Sequence, residues 1–255
     1  MEISIIIPTY NCEKFIKETL DSVFSQSFSD FEVIIIDDCS SDHTIEIIKA
    51  CNDKRIKLFV NETNKGAAYS RNLGISKANG NYVAFLDGDD VWAPNKLEQQ
   101  LLFMKSNSID FCCADYELID KDSKRIGILY TSPKIITYKM FLRIDYIGTS
   151  TVIYKRSVFP TLSIPNDILK RNDDAMWLLL SKKVSCYRFD KVCAYYRKSD
   201  GTISSGKKSK LFKHHVLLYQ KLYGFGRFKS FLFATRNVLY YILKQIKYKK
   251  KVRID

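Results

Sequence analysis

Tyr82-Val83-Ala84-Phe85-Leu86-Asp87-Gly88-Asp89-Asp90 runs from an apolar strand straight into a knot of carboxylates. Carboxylates at the end of a buried strand are costly unless something binds them. A spacing of two puts Asp87 and Asp89 on one side of an extended chain, and Gly88 leaves backbone room for a ligand. Carboxylate oxygens suit Mg²⁺ or Mn²⁺, and a metal held by only one or two of them keeps positions open for diphosphate oxygens. An Asx-type turn uses the same residue types. What favours the ligand is that three strand-and-turn units precede this one. Ser4 to Ile7 is a β-branched run ended by Pro8, and Phe31 to Ile36 is a second buried strand followed by Asp37 and Asp38. Ile56 to Val60 is a third.

Helical patterns separate these strands: Glu13 to Ser25, a segment capped by Ser41 or Asp42 and running to about Ala50, and Ala67 to Ala78 behind Gly66. Such alternation predicts an α/β fold with a Rossmann-like, doubly wound, mostly parallel sheet flanked by helices. Ligands of these sheets bind at the carboxyl ends of the strands, where the polar clusters lie. The second half is less regular. It reads as a helix over Pro94 to Lys105, strands at Ile109 to Ala114, Ser150 to Tyr154 and Tyr187 to Tyr195, and a helix over Asp173 to Lys182.

Charge divides the chain unevenly. From Gly206 to Asp255 there are 14 of the 41 Lys and Arg but only one of the 28 acids, so this segment carries all of the +13 net charge. Its pattern is helical, broken around Gly224 and Gly226, with Tyr and Phe between the bases. A helix of this kind lies in a membrane interface with its bases near anionic headgroups, or packs its apolar positions on the body. The N-terminus lacks the pattern of a signal peptide, and no apolar run is long enough to span a bilayer. The seven cysteines have no zinc or disulfide-framework spacing and read as reduced thiols of a cytoplasmic protein. A nucleic-acid binder is disfavoured because strand-end acids repel phosphates in the absence of a metal. A nucleotidyltransferase is disfavoured because the first strand ends in Pro8-Thr9-Tyr10-Asn11, not in a Gly-rich basic loop.

Four further segments carry chemistry. A carboxylate at Asp38 can accept from a ribose hydroxyl or a base edge, with Asp37 structural. Arg71, one turn into a helix behind Gly66, favours an anion. Asp173-Asp174 open a helix before Trp177, and either caps it or takes a proton from a hydroxyl. Tyr195 to Ser205 is a basic loop suited to closing over phosphates.

Together these residues resemble glycosyltransferase family 2, over roughly residues 3 to 205. Pro8-Thr9-Tyr10-Asn11, Ile36-Asp37-Asp38-Cys39-Ser40, Asn64 to Gly74 and Phe85 to Asp90 follow one another at that family's spacing. The resemblance implies the GT-A fold and an inverting transfer of a sugar from a nucleotide diphosphate, UDP first, to a hydroxyl. The acceptor it implies is a saccharide or lipid-linked saccharide of a cell-surface polysaccharide. It implies that Pro8, Tyr10 and Asp38 line the nucleoside pocket, with Arg71 near the base or ribose. Asp87 and Asp89 would be the DxD element holding Mn²⁺ or Mg²⁺. Asp173 would be the base, with Asp174 open as the alternative because Asn172 replaces the family's Glu. Arg197 would belong to the loop that covers the donor. Cys39 stands where the family usually has Gly, a departure that suits a turn without positive φ. Residues 1–205 are then the catalytic domain, with a nucleotide-sugar half to residue 105 and an acceptor half after it. Residues 206–255 are the basic tail, docked on the inner face of the cell membrane.

Overall fold

The computed structural model describes residues 1–160, 162–166, 168, 171–198 and 208–253. The first half alternates as expected: β1 (Ile3–Thr9), α1 (Ile16–Phe24), β2 (Phe31–Asp37), α2 (Thr44–Ala50), β3 (Ile56–Val60), α3 (Ala67–Lys77) and β4 (Tyr82–Phe85). The strands pair in the parallel order β3-β2-β1-β4, with Thr9 opposite Asp37 and Ile6 opposite Phe85. The Ile-rich β1 and β2 are buried along their length because helices cover both faces. Ile3, Ile5 and Ile7 pack with Leu20, Val23 and Leu97 on one side, while Ile6, Ile34 and Phe85 pack with Trp177 on the other.

The second half comprises β5 (Val91–Trp92), α4 (Lys96–Ser106), β6 (Phe111–Ile119), β7 (Arg125–Tyr130), β8 (Ile135–Ile136), α5 (Tyr138–Phe141), a 3-10 turn at Thr149–Thr151, β9 (Ile153–Lys155), α6 (Asn172–Ser181), β10 (Cys186–Arg197), α7 (Lys208–Tyr223), α8 (Arg227–Tyr248) and β11 (Lys249–Lys251). β9 runs antiparallel between β4 and β6, and β7 and β11 add further antiparallel edges. The sheet as a whole is therefore mixed, with its parallel part confined to the first four strands and the β6–β10 pair. That parallel pair brings Arg197 to the same rim as Ile119.

The basic tail is not a separate body. Ser230, Ala234 and Asn237 of α8 are buried against the rest of the chain. Arg236 donates to the Leu142 carbonyl at 3.0 Å, and the main chain continues into β11 beside β7. The expected domain border near residue 206 lies outside the described residues, as do Ser199 to Ser205 of the expected covering loop.

Gly80 joins α3 to β4 where the chain crosses β1. A Cβ there would stand 2.6 Å from the Ser4 nitrogen and 2.7 Å from the Ile3 carbonyl carbon. Backbone cannot step aside as a side chain can, so Gly80→Ala is expected to lower stability by about 1–3 kcal/mol. Thermal unfolding checks it, and an unchanged Tm would contradict the close crossing.

Candidate active site

The carboxyl ends of β1, β2 and β4 meet at one rim. The loop after β4 carries Asp87, Asp89 and Asp90, and each carboxylate has a different environment. Asp90 is 1% exposed and accepts from the Ser150 hydroxyl at 2.5 Å and the Arg197 backbone N–H at 3.0 Å. Burial, together with the charges of Asp89 and Asp87, pushes its carboxyl well above the usual range. It is a tie between this loop, the turn at Thr149–Thr151 and the end of β10. Asp87 accepts from Arg71 at 2.6 Å, and its backbone N–H donates to Ser150 Oγ at 3.2 Å. Asp89 is different. Among the described residues its carboxylate is paired with nothing beyond its own backbone N–H, while burial and then Asp87 push it up to about 6. A half-buried carboxylate under repulsion, with oxygens unspent, is the donor set a hard divalent cation needs.

Two arginines support this loop from opposite sides. Arg71, projecting from α3 and 7% exposed, joins Asp87 to the Asn172 side-chain carbonyl at the start of α6. It thus ties the two halves of the chain together at the acid rim. Arg197 corrects an expectation. Its side chain is wholly buried, with Nε on the Asp89 carbonyl at 2.7 Å and NH2 on Glu18 at 2.6 Å. NH1 reaches Ser123 Oγ and the Asp120 carbonyl, and the guanidinium lies over Phe15. With its donors spent on the chain itself, it buttresses the acidic loop from behind and does not reach outward to phosphates. Gly88 also has an internal reason: a Cβ would meet Pro8 O, Thr9 and Cys12 Sγ at 3.2–3.3 Å, so glycine lets the loop lie against the end of β1.

Asp37 is structural, accepting from Thr9, the Ser40 N–H and the Ser40 hydroxyl at 2.6–2.9 Å. Asp38, 4% exposed, accepts from Asn61 and from the backbone N–H groups of Lys65 and Gly66 at 2.7–2.8 Å. Three of about four lone-pair positions are so used. It fixes the entry of α3, which carries Arg71. Pro8 closes β1 opposite Ile36, and Tyr10 beyond it is 53% exposed, with its ring open to solvent.

At the opposite wall, α6 is rooted by Trp177, which packs edge-on to Phe85 at 5.7 Å. One turn earlier, the two aspartates separate. Asp174 is 5% exposed, pairs with Arg171 at 2.6 Å and has a carboxylate oxygen within 4.8 Å of one of Asp145. Asp173 remains partly exposed, with Thr149 Oγ1 at 3.5 Å. Asp145, Ser150 and Thr19, whose hydroxyl holds the Asp90 carbonyl at 2.8 Å, were not legible in the sequence because nothing local marks them.

A family model described as glycosyl transferase family 2 matches residues 4–161. This chain belongs to that family. It is 38% identical over 211 residues to the UDP-Glc:alpha-D-GlcNAc-diphosphoundecaprenol beta-1,3-glucosyltransferase WfgD of Escherichia coli, covering 82% of each chain. It is 39% identical over 208 residues to the putative teichuronic acid biosynthesis glycosyltransferase TuaG of Bacillus subtilis, covering 80% of this chain and 82% of TuaG. In fold it is similar to S. aureus TarS solved with UDP, with a TM-score of 0.71 at 22% identity over 97% of this chain and 74% of that one. The mannosyltransferase PcManGT of Pyrobaculum calidifontis, solved with GDP-Man and Mn²⁺, superposes with a TM-score of 0.64 at 18% identity, covering 92% of this chain and 69% of that one. The protein is a glycosyltransferase with the GT-A fold.

One departure within the family pattern has a physical consequence. Cys39 adopts φ +66°, so the turn after β2 does require the left-handed region. Side chains with a Cβ are strained there by roughly 1–2 kcal/mol, part of which a glycine gives back through its freer unfolded chain. Cys39→Gly is expected to raise stability by about 0.5–1 kcal/mol in denaturant unfolding, and a loss of stability would contradict the strain.

Proposed function

We propose that the protein is an inverting glycosyltransferase of cell-surface polysaccharide synthesis, taking a UDP-sugar donor and a lipid-linked saccharide acceptor. The observation that carries this is the Asp89 carboxylate, without a side-chain partner among the described residues, next to the Asp87 that Arg71 holds, with Arg71 itself bonded to Asn172 beside Asp173. Mn²⁺ or Mg²⁺ fits that donor set, with Asp89 the direct ligand and Asp87 its neighbour. When bound, such an ion supplies Lewis-acid neutralisation of the charge that builds on the departing diphosphate. Arg71 keeps Asp87 oriented, and Tyr10 offers a face for the nucleobase. Asp173 accepts the proton of the acceptor hydroxyl as the new glycosidic bond forms. Attack from the face opposite the diphosphate breaks the sugar–phosphate bond and inverts the anomeric centre without a covalent intermediate. Asp174 is left to structure, because it is buried and pairs with Arg171.

The acceptor reading rests on WfgD, whose name specifies a diphosphoundecaprenol substrate. It also rests on α8. Phe228, Leu232, Leu239, Ile242 and Ile246 lie three to seven residues apart on one face and are 51–76% exposed, opposite the face that packs on the body. Lys247 and Lys249 to Lys251 flank this stripe. No described helix is long and apolar enough to cross a membrane. An apolar stripe bordered by bases suits the interface of an anionic leaflet.

Two measurements test these readings. Thermal shifts with UDP-, GDP- and dTDP-sugars are expected to be largest for UDP-sugars with Mn²⁺, and saturating ligand at about 100 times Kd adds about 2.7 kcal/mol. Asp89→Asn is expected to lose the metal-dependent part, whereas Asp173→Asn keeps it and loses at least about 10²-fold in kcat. Normal turnover by Asp173→Asn would refute the base assignment. For docking, Phe228→Gln, Leu239→Gln and Ile246→Gln combined in the full chain should abolish sedimentation with anionic vesicles. Unchanged sedimentation, or a dimer that dissociates instead, would assign the stripe to another partner.

A further inference from the structure

The helix with the outward apolar stripe has an inward cation. Lys244 of α8 donates from Nζ to the Asp145 carbonyl at 2.8 Å. Around that point the carboxylates of Asp145, Asp173 and Asp174 present oxygens all within 4.8 Å of one another. Such a cluster has the oxygens of a metal site, but cations of the chain already stand beside it: Arg171 pairs with Asp174, and Lys244 reaches in from the C-terminal helix. Burial raises both Asp145 and Asp174 above the usual carboxylate range, and Arg171 lowers both in opposition.

We propose that Lys244 is a positioning residue for the reaction, supplying from α8 the charge that lets the Asp145–Asp173–Asp174 cluster keep a carboxylate available for the acceptor proton. The proposal rests on Asp173 being the base. It goes beyond that reading by making the C-terminal helix part of the catalytic electrostatics. Among the described residues, further groups facing the cluster come from α7 and the sheet. His215 and Tyr219 come from α7, with His215 driven down to about 3 by burial and then by Arg171, so it brings no charge at neutral pH. Tyr116 and Cys186 come from the sheet, and burial raises both, so they are neutral too. Among the described residues, Arg171 and Lys244 are thus the cations that offset the charge of the three acids. Burial is the largest influence and leaves the Lys244 ammonium below the usual lysine range, with Asp145, Asp174 and Asp173 pulling it back up and Arg171 adding to the lowering. Because α8 bears the stripe proposed to seat on a membrane, detaching it would withdraw Lys244 from the cluster.

The test is the pH dependence of kcat/KM in the full-length protein. Lys244→Met leaves one negative charge unbalanced, so the acid limb should move up by about one pH unit. At pH values well below the limb that is a loss approaching about 10-fold, and it vanishes well above it. Lys244→Arg should restore the wild-type profile, and the UDP-induced thermal shift should be unchanged in both. Adding Asp145→Asn to Lys244→Met removes the surplus charge and should bring the limb back. If Lys244→Met proves too unstable to assay, Asp145→Asn alone in the otherwise wild-type chain should move the limb down. A uniform loss at every pH, or a limb that stays in place in these variants, overturns the proposal. If instead Asp173→Asn retains activity, the base assignment itself has failed, an outcome separate from a silent Lys244.

Discussion

Three carboxylates cannot gather at the rim of an apolar sheet unless their charge is answered there. In this protein the answer comes from two buried arginines and a proton. Arg71 takes Asp87 from the side of α3, Arg197 holds the Asp89 carbonyl and the Asp90 carboxyl from the end of β10, and Asp90 is pushed toward its neutral form. What remains is Asp89, repelled by its neighbour and, among the described residues, without a side-chain partner. The loop is therefore poised to gain from a cation, whereas a fully paired loop would only lose interactions on binding one.

Much of the fold follows from keeping those supports in register. Parallel pairing of β1, β2 and β4 brings Thr9, Asp37 and Asp87 to one edge. Asp38 ties the β3–α3 connection to that edge, which fixes the helix carrying Arg71. The parallel β6–β10 pair carries Arg197 to the same edge from the other half of the chain. Arg71 then reaches Asn172, so the wall bearing Asp173 is joined directly to the DxD loop. The same logic recurs at the acceptor wall, where Arg171 and Lys244 answer three more acids.

Local pattern carried the first half of this structure. Ile and Val runs closed by Pro8, Asp37 and Asp87 specify buried strands ending in polar turns, and a doubly wound order is what such alternation produces. It carried less of the second half because β7, β8 and β11 are short antiparallel pieces without a period of their own. Lys249 to Lys251 reads as a helical tail and becomes a strand only through pairing with β7. Among site residues, sequence spacing marked where Tyr10, Asp89, Asp173, Arg197 and Gly88 lie, and the structure adds that Tyr10, Asp89 and Asp173 keep exposed or partly exposed side chains whereas Arg197 and Gly88 face inward. Spacing marks a residue as near the site, but whether its donors face outward or inward depends on partners such as Glu18, Ser123 and Cys12, which lie far away in the chain.

The central claim is that Asp89 at the sheet rim binds the cation that in turn engages the donor diphosphate. Anomalous scattering from a crystal grown with Mn²⁺ and UDP measures this directly. The account predicts a manganese peak at coordination distance from an Asp89 carboxylate oxygen and from diphosphate oxygens. A peak between Asp145, Asp173 and Asp174, or UDP bound in the cleft with no metal at Asp89, would contradict it.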